Sequence, residues 1–563
     1  MSAIYDKFST ERKQLQQEGL CPEWYTTGGY QMIKAKYLLD GETPKGMYER
    51  LAKTAASHLP DSESWEKRFF DIMWKGWLSP ATPVLTNMGT TRGTPVSCSG
   101  GYVGDSVYDF YECQKEVAVL SQNGFGTSSY LGDIRPRGAE ISRGGKASGV
   151  LPVIKDFVQV SRDITQGSNR RGAWAGYIEI DHKDFYEVAE YLYNNPDDLN
   201  IGWIISDAFM GRLDKGDKDA LSRYQKMMKI RAVTGKGYHF YKDKVNRQNP
   251  QIYKDRGMEV KASQLCNEIY LFSDSEYTYT CVLSSMNVSK YDEWKDTDAV
   301  FVATVFLDCV AEEFTKFGKN IRGLEKAIKF TEASRALGLG VLGYATYLQD
   351  NMIPFESFEA RKFNKLLFKS IKSEALRASQ WMAEVLGEPE WCKGYGVRNT
   401  HLLAVAPTMS TSLICGGVSQ GIEPIVANVY NQNSAGGEIA RVNPSLLNLM
   451  KSRGIYNRDV LKDIAANFGS VQHVKWLSDE EKEVFKTAYE IDQMVIIKQA
   501  SDRQQFIDQG QSLNTFFSSD ESEEYVSKVT KEAMRDPYIK GIYYQRSLAG
   551  VRASNGECSA CEA

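Results

Sequence analysis

Excess charge, long apolar runs and histidine ligand patterns are all scarce in this chain. Its 563 residues carry 68 Lys and Arg against 72 Asp and Glu, a formal net charge of −4. The two signs are interspersed, which leaves no basic stripe for a nucleic acid, although a local pocket can still take a small anion. No apolar stretch approaches the roughly 18 residues of a membrane helix, and the opening MSAIYDKFSTERKQ enters polar sequence without a signal region. A cytoplasmic location and no membrane association are therefore expected. The five histidines, His58, His182, His239, His401 and His473, form no HxxxH or HxH pattern, so no metal is expected in this chain. A GxxxxGK[ST] loop, a strand-anchored GxGxxG turn, internal repeats and low-complexity blocks are also missing, which argues against ATP hydrolysis and a Rossmann cofactor.

What the chain does have is length, a 42% apolar composition and ten cysteines. It can bury a large core. In a reducing compartment the cysteines are not a disulfide scaffold. The first 80 or so residues read as helical, with TPKGMYERLAKTAASHL followed by SESWEKRFFDIMWKGWL, where Trp65, Phe69, Met73 and Trp77 recur every four residues. Beyond residue 84, short apolar runs alternate with glycine-rich turns and amphipathic helices, the texture of an α/β body with function on its loops. The stretch FEARKFNKLLFKSIKSEALRASQWMAEVLGE is one long helix ended near Gly387.

The last residues, SNGECSACEA, place Cys558 and Cys561 where there is no chain left to build a core. Their spacing suits an exchanging dithiol; a zinc site would need two more ligands, and an inert tail is the bland reading. In SQLCNEIYLF, Cys266 and Glu268 lie two apart, so a strand would aim both at one site. A carboxylate disfavours a neighbouring thiolate, which leaves either sulfur used in neutral or radical form or an ordinary buried cysteine. Cys98 and Cys281 each sit at a potential strand among small residues and either face each other or are core. Thr408, Met409, Ser410, Thr411 and Ser412 form a hydroxyl-rich run suited to a phosphate at a helix start, or simply to capping. Tyr543 and Tyr544 read as a packed anchor or as adjacent phenols relaying an electron and a proton.

The chain as a whole resembles the large, catalytic subunit of class I ribonucleotide reductase. The stretches that carry the resemblance are SPATPVLTNMGT with VSC, NGFG, GDIRPRG, QGSNRRGA, LCNEI, TCVLSSMN, the hydroxyl run with GIEP, DRQQFIDQGQSLN, IYYQ and the terminal CxxC, in the family's order. It implies an N-terminal helical region over 1–85 and a ten-stranded α/β barrel with a central finger loop over 86–525. Residues 526–563 would carry the radical-transfer tyrosines and a mobile redox tail.

The resemblance also implies roles. Cys266 becomes a thiyl that removes the 3′ hydrogen of a ribonucleotide, and Glu268 deprotonates the 3′ hydroxyl. Cys98 and Cys281 reduce the substrate radical and become a disulfide, which Cys558 and Cys561 re-reduce before exchanging with thioredoxin or glutaredoxin. Tyr543 and Tyr544 end the radical route from a separate metal-containing small (beta) subunit, no cofactor being bound covalently in this chain. Ser97 and Thr408 to Ser412 would bind the ribonucleoside diphosphate. Asp105, Ser106 and Arg135 would form the specificity site for a deoxynucleoside triphosphate or ATP effector, near a homodimer contact. Gln166, Gly167, Ser168, Asn169, Arg170 and Arg171 would be the loop that reports the effector to the active site.

Two residues depart from the family's pattern. Gln264 stands where an asparagine is usual, two residues before Cys266, so hydrogen bonding around the 3′ hydroxyl or Glu268 must adjust. Met409 occupies a position that is polar or acidic in one branch. The short stretch before Cys98 implies no N-terminal ATP-cone and hence specificity control without that off-switch. The alternatives are an adenosylcobalamin-dependent reductase and a nucleotide-binding regulatory protein that has lost catalysis.

Overall fold

The computed structural model describes residues 3–96, 98–166, 170–434 and 437–548. Four helices open it: Ala3–Gln17, Thr27–Lys36, Pro44–Ala56 and Ser62–Trp74. Thr43 caps the third by accepting the Gly46 N–H, with Pro44 pre-set at its first position. The fourth buries Trp65, Phe69 and Met73. The four-residue row expected to continue to Trp77 stops there, because Gly76 turns the chain at φ 71°. The Trp77 indole instead donates to Glu293 at 2.9 Å. Both later helices pack on Ala299–Gly318, a helix buried over most of its surface.

A curled sheet follows, built from β1 (Leu78–Pro80), β2 (Cys98–Tyr102), β3 (Gly126–Tyr130), β4 (Ala173–Glu179), β5 (Asn200–Ile205), β6 (Tyr238–Tyr241), β7 (Tyr279–Asn287), β8 (Leu337–Leu342) and β9 (Gly541–Ile542). Its order is β1-β7-β2-β3-β4-β5-β6-β9, with β8 also on β7. From β2 to β6 neighbours are parallel, and helices such as Val107–Gln122, Val150–Asp163 and Phe185–Asn194 make the crossovers. Main-chain bonds continue beyond the named strands. Leu339 bridges Leu403 and Val405 bridges Gln511, while Tyr543 N–H donates to the Leu513 carbonyl at 2.8 Å.

The strands separate two apolar cores by their period of two. Along β5, Ile201, Trp203 and Ile205 join the outer core beneath the helices, whereas Ile204 joins the inner one. Along β4, Trp174 and Ile178 face out while Ala175 and Tyr177 face in. Gly202 must be glycine, because a Cβ there would lie 2.1 Å from the Tyr177 ring. A satellite core of Leu446, Met450, Ile464 and Val471 lies under the hairpin Val429–Ser434 and Gly437–Val442, a small unit with no advance signal in the sequence. No helix among the described residues is long and apolar enough to cross a membrane.

Candidate active site

The inner core gathers most of the candidate residues. Cys98, Cys266, Cys281, Tyr543 and Tyr544 belong to one buried cluster, and Met409 packs against it. Cys98 and Cys281 are direct register partners in the antiparallel pairing of β2 with β7. Both side chains are buried. Burial, with Cys98 and Glu268 close by, pushes the Cys281 thiol well above its ordinary range, and Gln509 acts the other way.

Cys266 and Glu268 are both buried, but the stretch that carries them is not a strand. Residues 265 and 266 form a turn within an otherwise irregular stretch. Asn267 takes a left-handed φ of 61°, which an asparagine tolerates. Its amide is anchored, donating to the His239 carbonyl at 3.0 Å and the Ile542 carbonyl at 3.1 Å. A strand would have aimed Asn267 away from both neighbours; the turn ties it to β6 and β9 instead. Tyr177 OH donates to the Gln264 carbonyl at 2.7 Å, and Ser128 OH to the Ser263 carbonyl at 2.8 Å, so the loop is held from β4 and β3 as well.

Glu268 is 1% exposed. Burial raises its carboxyl to about 7, against the opposing pull of Gln264 and Ser512. The Ser512 hydroxyl lies 2.7 Å from the Cys266 carbonyl and 2.9 Å from Glu268 Oε2, and its single proton serves one at a time. The extra methylene of Gln264 has a visible use: Oε1 accepts the main-chain N–H groups of Glu268 at 3.1 Å and Ile269 at 3.2 Å. Its Nε2 is buried and meets no partner at ordinary hydrogen-bond geometry, while the side chain as a whole pulls the Glu268 carboxyl down against burial. Gln264→Ala is expected to lower stability by about 1–3 kcal/mol, the worth of two such bonds, read as an earlier urea midpoint with an unchanged slope.

Tyr543 and Tyr544 are packed with ring centroids 4.1 Å apart. Tyr238, which nothing in the sequence singled out, completes a triangle: its ring lies 4.7 Å from Tyr543 and its hydroxyl 3.1 Å from that of Tyr544. Gln509, Ser512 and Asn514 were visible only as part of a motif, without individual roles.

The hydroxyl run does begin a helix, Met409–Ile414, with Thr408 as its cap at φ 56°. Thr408 Oγ1 accepts the Gly421 N–H at 2.8 Å, and Ser412 Oγ donates back to the Met409 carbonyl at 3.1 Å. Thr411 and Ser412 are buried, whereas Thr408, Met409 and Ser410 are partly exposed, so the reachable face is the helix start. Asp105 and Arg135 meet beyond the C-terminal ends of β2 and β3, with Ser106 next along the chain. Asp105 accepts the Arg135 main-chain N–H at 3.0 Å and its Nε at 2.6 Å, and Ser106 caps Val107–Gln122. Gln166 pairs with Arg170, and Thr165 with Arg171, along the main chain. Ser97, Gly167, Ser168, Asn169, Cys558 and Cys561 lie outside the described residues.

Comparison with known proteins adds identity to this geometry. The family described as "Ribonucleotide reductase, barrel domain" matches residues 96–223, 218–393 and 389–545, and "Ribonucleotide reductase, all-alpha domain" matches 23–93. The chain is 33% identical to a ribonucleoside-diphosphate reductase large subunit of Frog virus 3, over 92% of this chain and 95% of the other. It is 28% identical to the corresponding large subunit of Caenorhabditis elegans, over 94% and 77%. Among solved structures, the Actinobacillus ureae class Id ribonucleotide reductase alpha subunit superposes with a TM-score of 0.88 at 39% identity, covering 94% of this chain and 98% of that one. Neither the cobalamin-dependent alternative nor the purely regulatory one finds support in these relatives. The chain belongs to the ribonucleotide reductase family, as a large, catalytic subunit of class I.

Proposed function

We propose that the inner cluster reduces ribonucleoside diphosphates to 2′-deoxyribonucleotides through a thiyl at Cys266. The observation that carries this reading is the convergence, in one buried core, of a register-paired cysteine couple, a third cysteine beside a carboxyl raised to about 7, and a tyrosine stack. A metal-containing small subunit supplies the radical, which crosses Tyr544 and Tyr543. Cys266 then takes the 3′ hydrogen, and Glu268 takes the proton of the 3′ hydroxyl. Water leaves from C2′, and Cys98 and Cys281 supply two electrons and become a disulfide. The hydrogen returns from Cys266 to C3′, restoring the thiyl. Cys558 and Cys561 re-reduce the disulfide and pass the oxidation to thioredoxin or glutaredoxin.

Substrate phosphates sit at Ser97 and at the helix start formed by Thr408, Met409, Ser410, Thr411 and Ser412. Asp105, Ser106 and Arg135 take a deoxynucleoside triphosphate or ATP, and residues 166–171 carry that signal inward. The exposed Val107, Tyr108 and Tyr111 beside them fit a contact with a second copy of this chain. The sheet is read as a ten-stranded barrel around a finger loop, supported by the main-chain bonds that run from β8 through 402–405 and 509–513 to 543. The division into 1–85, 86–525 and 526–563 and a cytoplasmic location belong to the same reading.

The test mixes the purified chain with its small subunit, a ribonucleoside diphosphate, an effector and dithiothreitol. Deoxynucleoside diphosphate is expected; its absence from the complete mixture would reject the reading. Cys561→Ser is expected to lose nearly all turnover with thioredoxin while keeping most of it with dithiothreitol. Equal loss with both reductants would assign the tail another task.

A further inference from the structure

The stretch DQGQSLN threads the inner core, and its side chains reach each functional part of it. Ser512 touches Glu268, and Asn514 accepts the Tyr544 main-chain N–H at 2.9 Å. Gln509 reaches the cysteine pair. Its side chain is fully buried, with Oε1 accepting the Tyr270 N–H at 3.1 Å and Nε2 donating to the Leu337 carbonyl at 2.8 Å. Nε2 also lies 3.8 Å from Cys281 Sγ. The main chain is pinned too: its N–H donates to the Leu403 carbonyl at 3.1 Å, and its carbonyl accepts from Gln504 Nε2 at 2.9 Å and Lys540 Nζ at 2.8 Å.

This amide has only one workable orientation. The Tyr270 N–H needs an acceptor and the Leu337 carbonyl needs a donor. Turning the amide over would break both bonds and leave two unmet polar groups in a buried core. The second N–H of Nε2 is therefore held toward Cys281 whatever the redox state of that sulfur. A donor fixed before charge develops stabilises an anion without reorganising. Tyr270 follows Glu268 by two residues, so the donor stays in place only while the loop bearing Cys266 and Glu268 is seated.

We propose that Gln509 is a positioning residue for re-reduction of the Cys98–Cys281 disulfide, holding an N–H against Cys281 so that this sulfur leaves as thiolate and Cys98 is the sulfur attacked. The inference rests on the reading of Cys98 and Cys281 as the reducing pair. Exposure agrees with the direction, since Cys98 keeps 4% of its surface and Cys281 none. A dithiol's thiolate bonds to the Cys98 sulfur, the disulfide breaks, and its electron pair goes to Cys281. The second thiol, deprotonated, attacks the reductant's own sulfur in the mixed disulfide. That step closes the oxidised reductant and releases Cys98 as thiolate. The two protons lost by the dithiol end on Cys98 and Cys281, and two electrons have passed to the protein.

The experiment uses the full chain, oxidised with diamide and checked for the Cys98–Cys281 disulfide by peptide mass. Reduction by dithiothreitol is then timed by acid quench from pH 6.5 to 8.5. Gln509→Met, of similar volume but without the amide, is expected to slow reduction about ten-fold or more, as loss of a hydrogen bond to a charged group does. Gln509→Glu, closer in shape, is expected to fall progressively further below wild type as pH rises and its carboxyl ionises beside the leaving sulfur. A merely structural role would give a ratio to wild type that does not change with pH. A Gln509→Met rate within two-fold of wild type, or a flat ratio for Gln509→Glu, would overturn the inference and leave the cysteine pair standing. Failure of the wild-type chain to form a Cys98–Cys281 disulfide would overturn the reading of the pair and this inference with it.

Discussion

Glu268→Gln is expected to lower kcat/KM about a thousand-fold, within the ~10²–10⁴ range of a lost general base, and to remove the acid limb of the pH profile. Wild-type activity should rise with pH through about 7, where burial has placed this carboxyl, and level off once it is ionised. Gln264 and Ser512 keep the group from rising further, so the base form is present at neutral pH without being bound up in an ion pair. The check is initial-rate deoxynucleotide formation at saturating effector across pH 6 to 8.5. An unchanged acid limb in Glu268→Gln would assign the titration to another group.

The same shift makes a stability statement of opposite sign. Glu268 holds its proton to about 7 in the folded chain and to about 4.5 when unfolded. Stability from burying the neutral carboxyl is therefore fully present below pH 4.5 and is lost as pH rises through about 7. At 1.36 kcal/mol per unit, the loss is about 3 kcal/mol across that window. Glu268→Gln should accordingly gain stability over wild type above pH 7, with the gap closing toward pH 4.5. A cost of that size for an ionised carboxyl is the usual relation where stability is traded for activity.

Much of this site was readable because its residue types are chemically odd where they stand. A thiol two residues from a carboxyl, two adjacent tyrosines and a terminal CxxC have few uses, and their order carries the family resemblance. The α/β alternation and the long helix, Phe358–Leu386, were legible from periodicity. Periodicity misled at Cys266, because an apolar run such as LCNEIYLF fits a strand until Asn267 turns left-handed, and that turn depends on carbonyls of β6 and β9. Tyr238 was illegible for a related reason. It lies 306 residues from Tyr544 in a strand that reads as core, and only the pairing of β9 with β6 brings their hydroxyls together. Gln509 likewise gains meaning from partners on three separate segments.

Tyr543→Phe and Tyr544→Phe are each expected to abolish deoxynucleotide formation while leaving effector and substrate affinity within about two-fold of wild type. Phenylalanine keeps the ring, and with it the 4.1 Å packing of the pair, but it has no O–H to give up as an electron and a proton. The fold should tolerate the change. Removing the Tyr544 hydroxyl leaves Tyr238 OH still bonded to Asn200 Oδ1 at 3.1 Å, so that hydroxyl keeps a partner and the loss stays near the ~1 kcal/mol of one neutral hydrogen bond. Tyr238→Phe separates relay from support. It removes the 3.1 Å contact to Tyr544 but spares the hydroxyls of Tyr543 and Tyr544, so turnover should fall about ten-fold, the effect of one such bond. Rapid-quench product analysis with the small subunit, alongside thermal unfolding and nucleotide binding, distinguishes these outcomes. Turnover above about one percent in Tyr544→Phe, or complete loss in Tyr238→Phe with Tyr544→Phe active, would move the radical route away from the tyrosine pair and onto the strand that carries Tyr238.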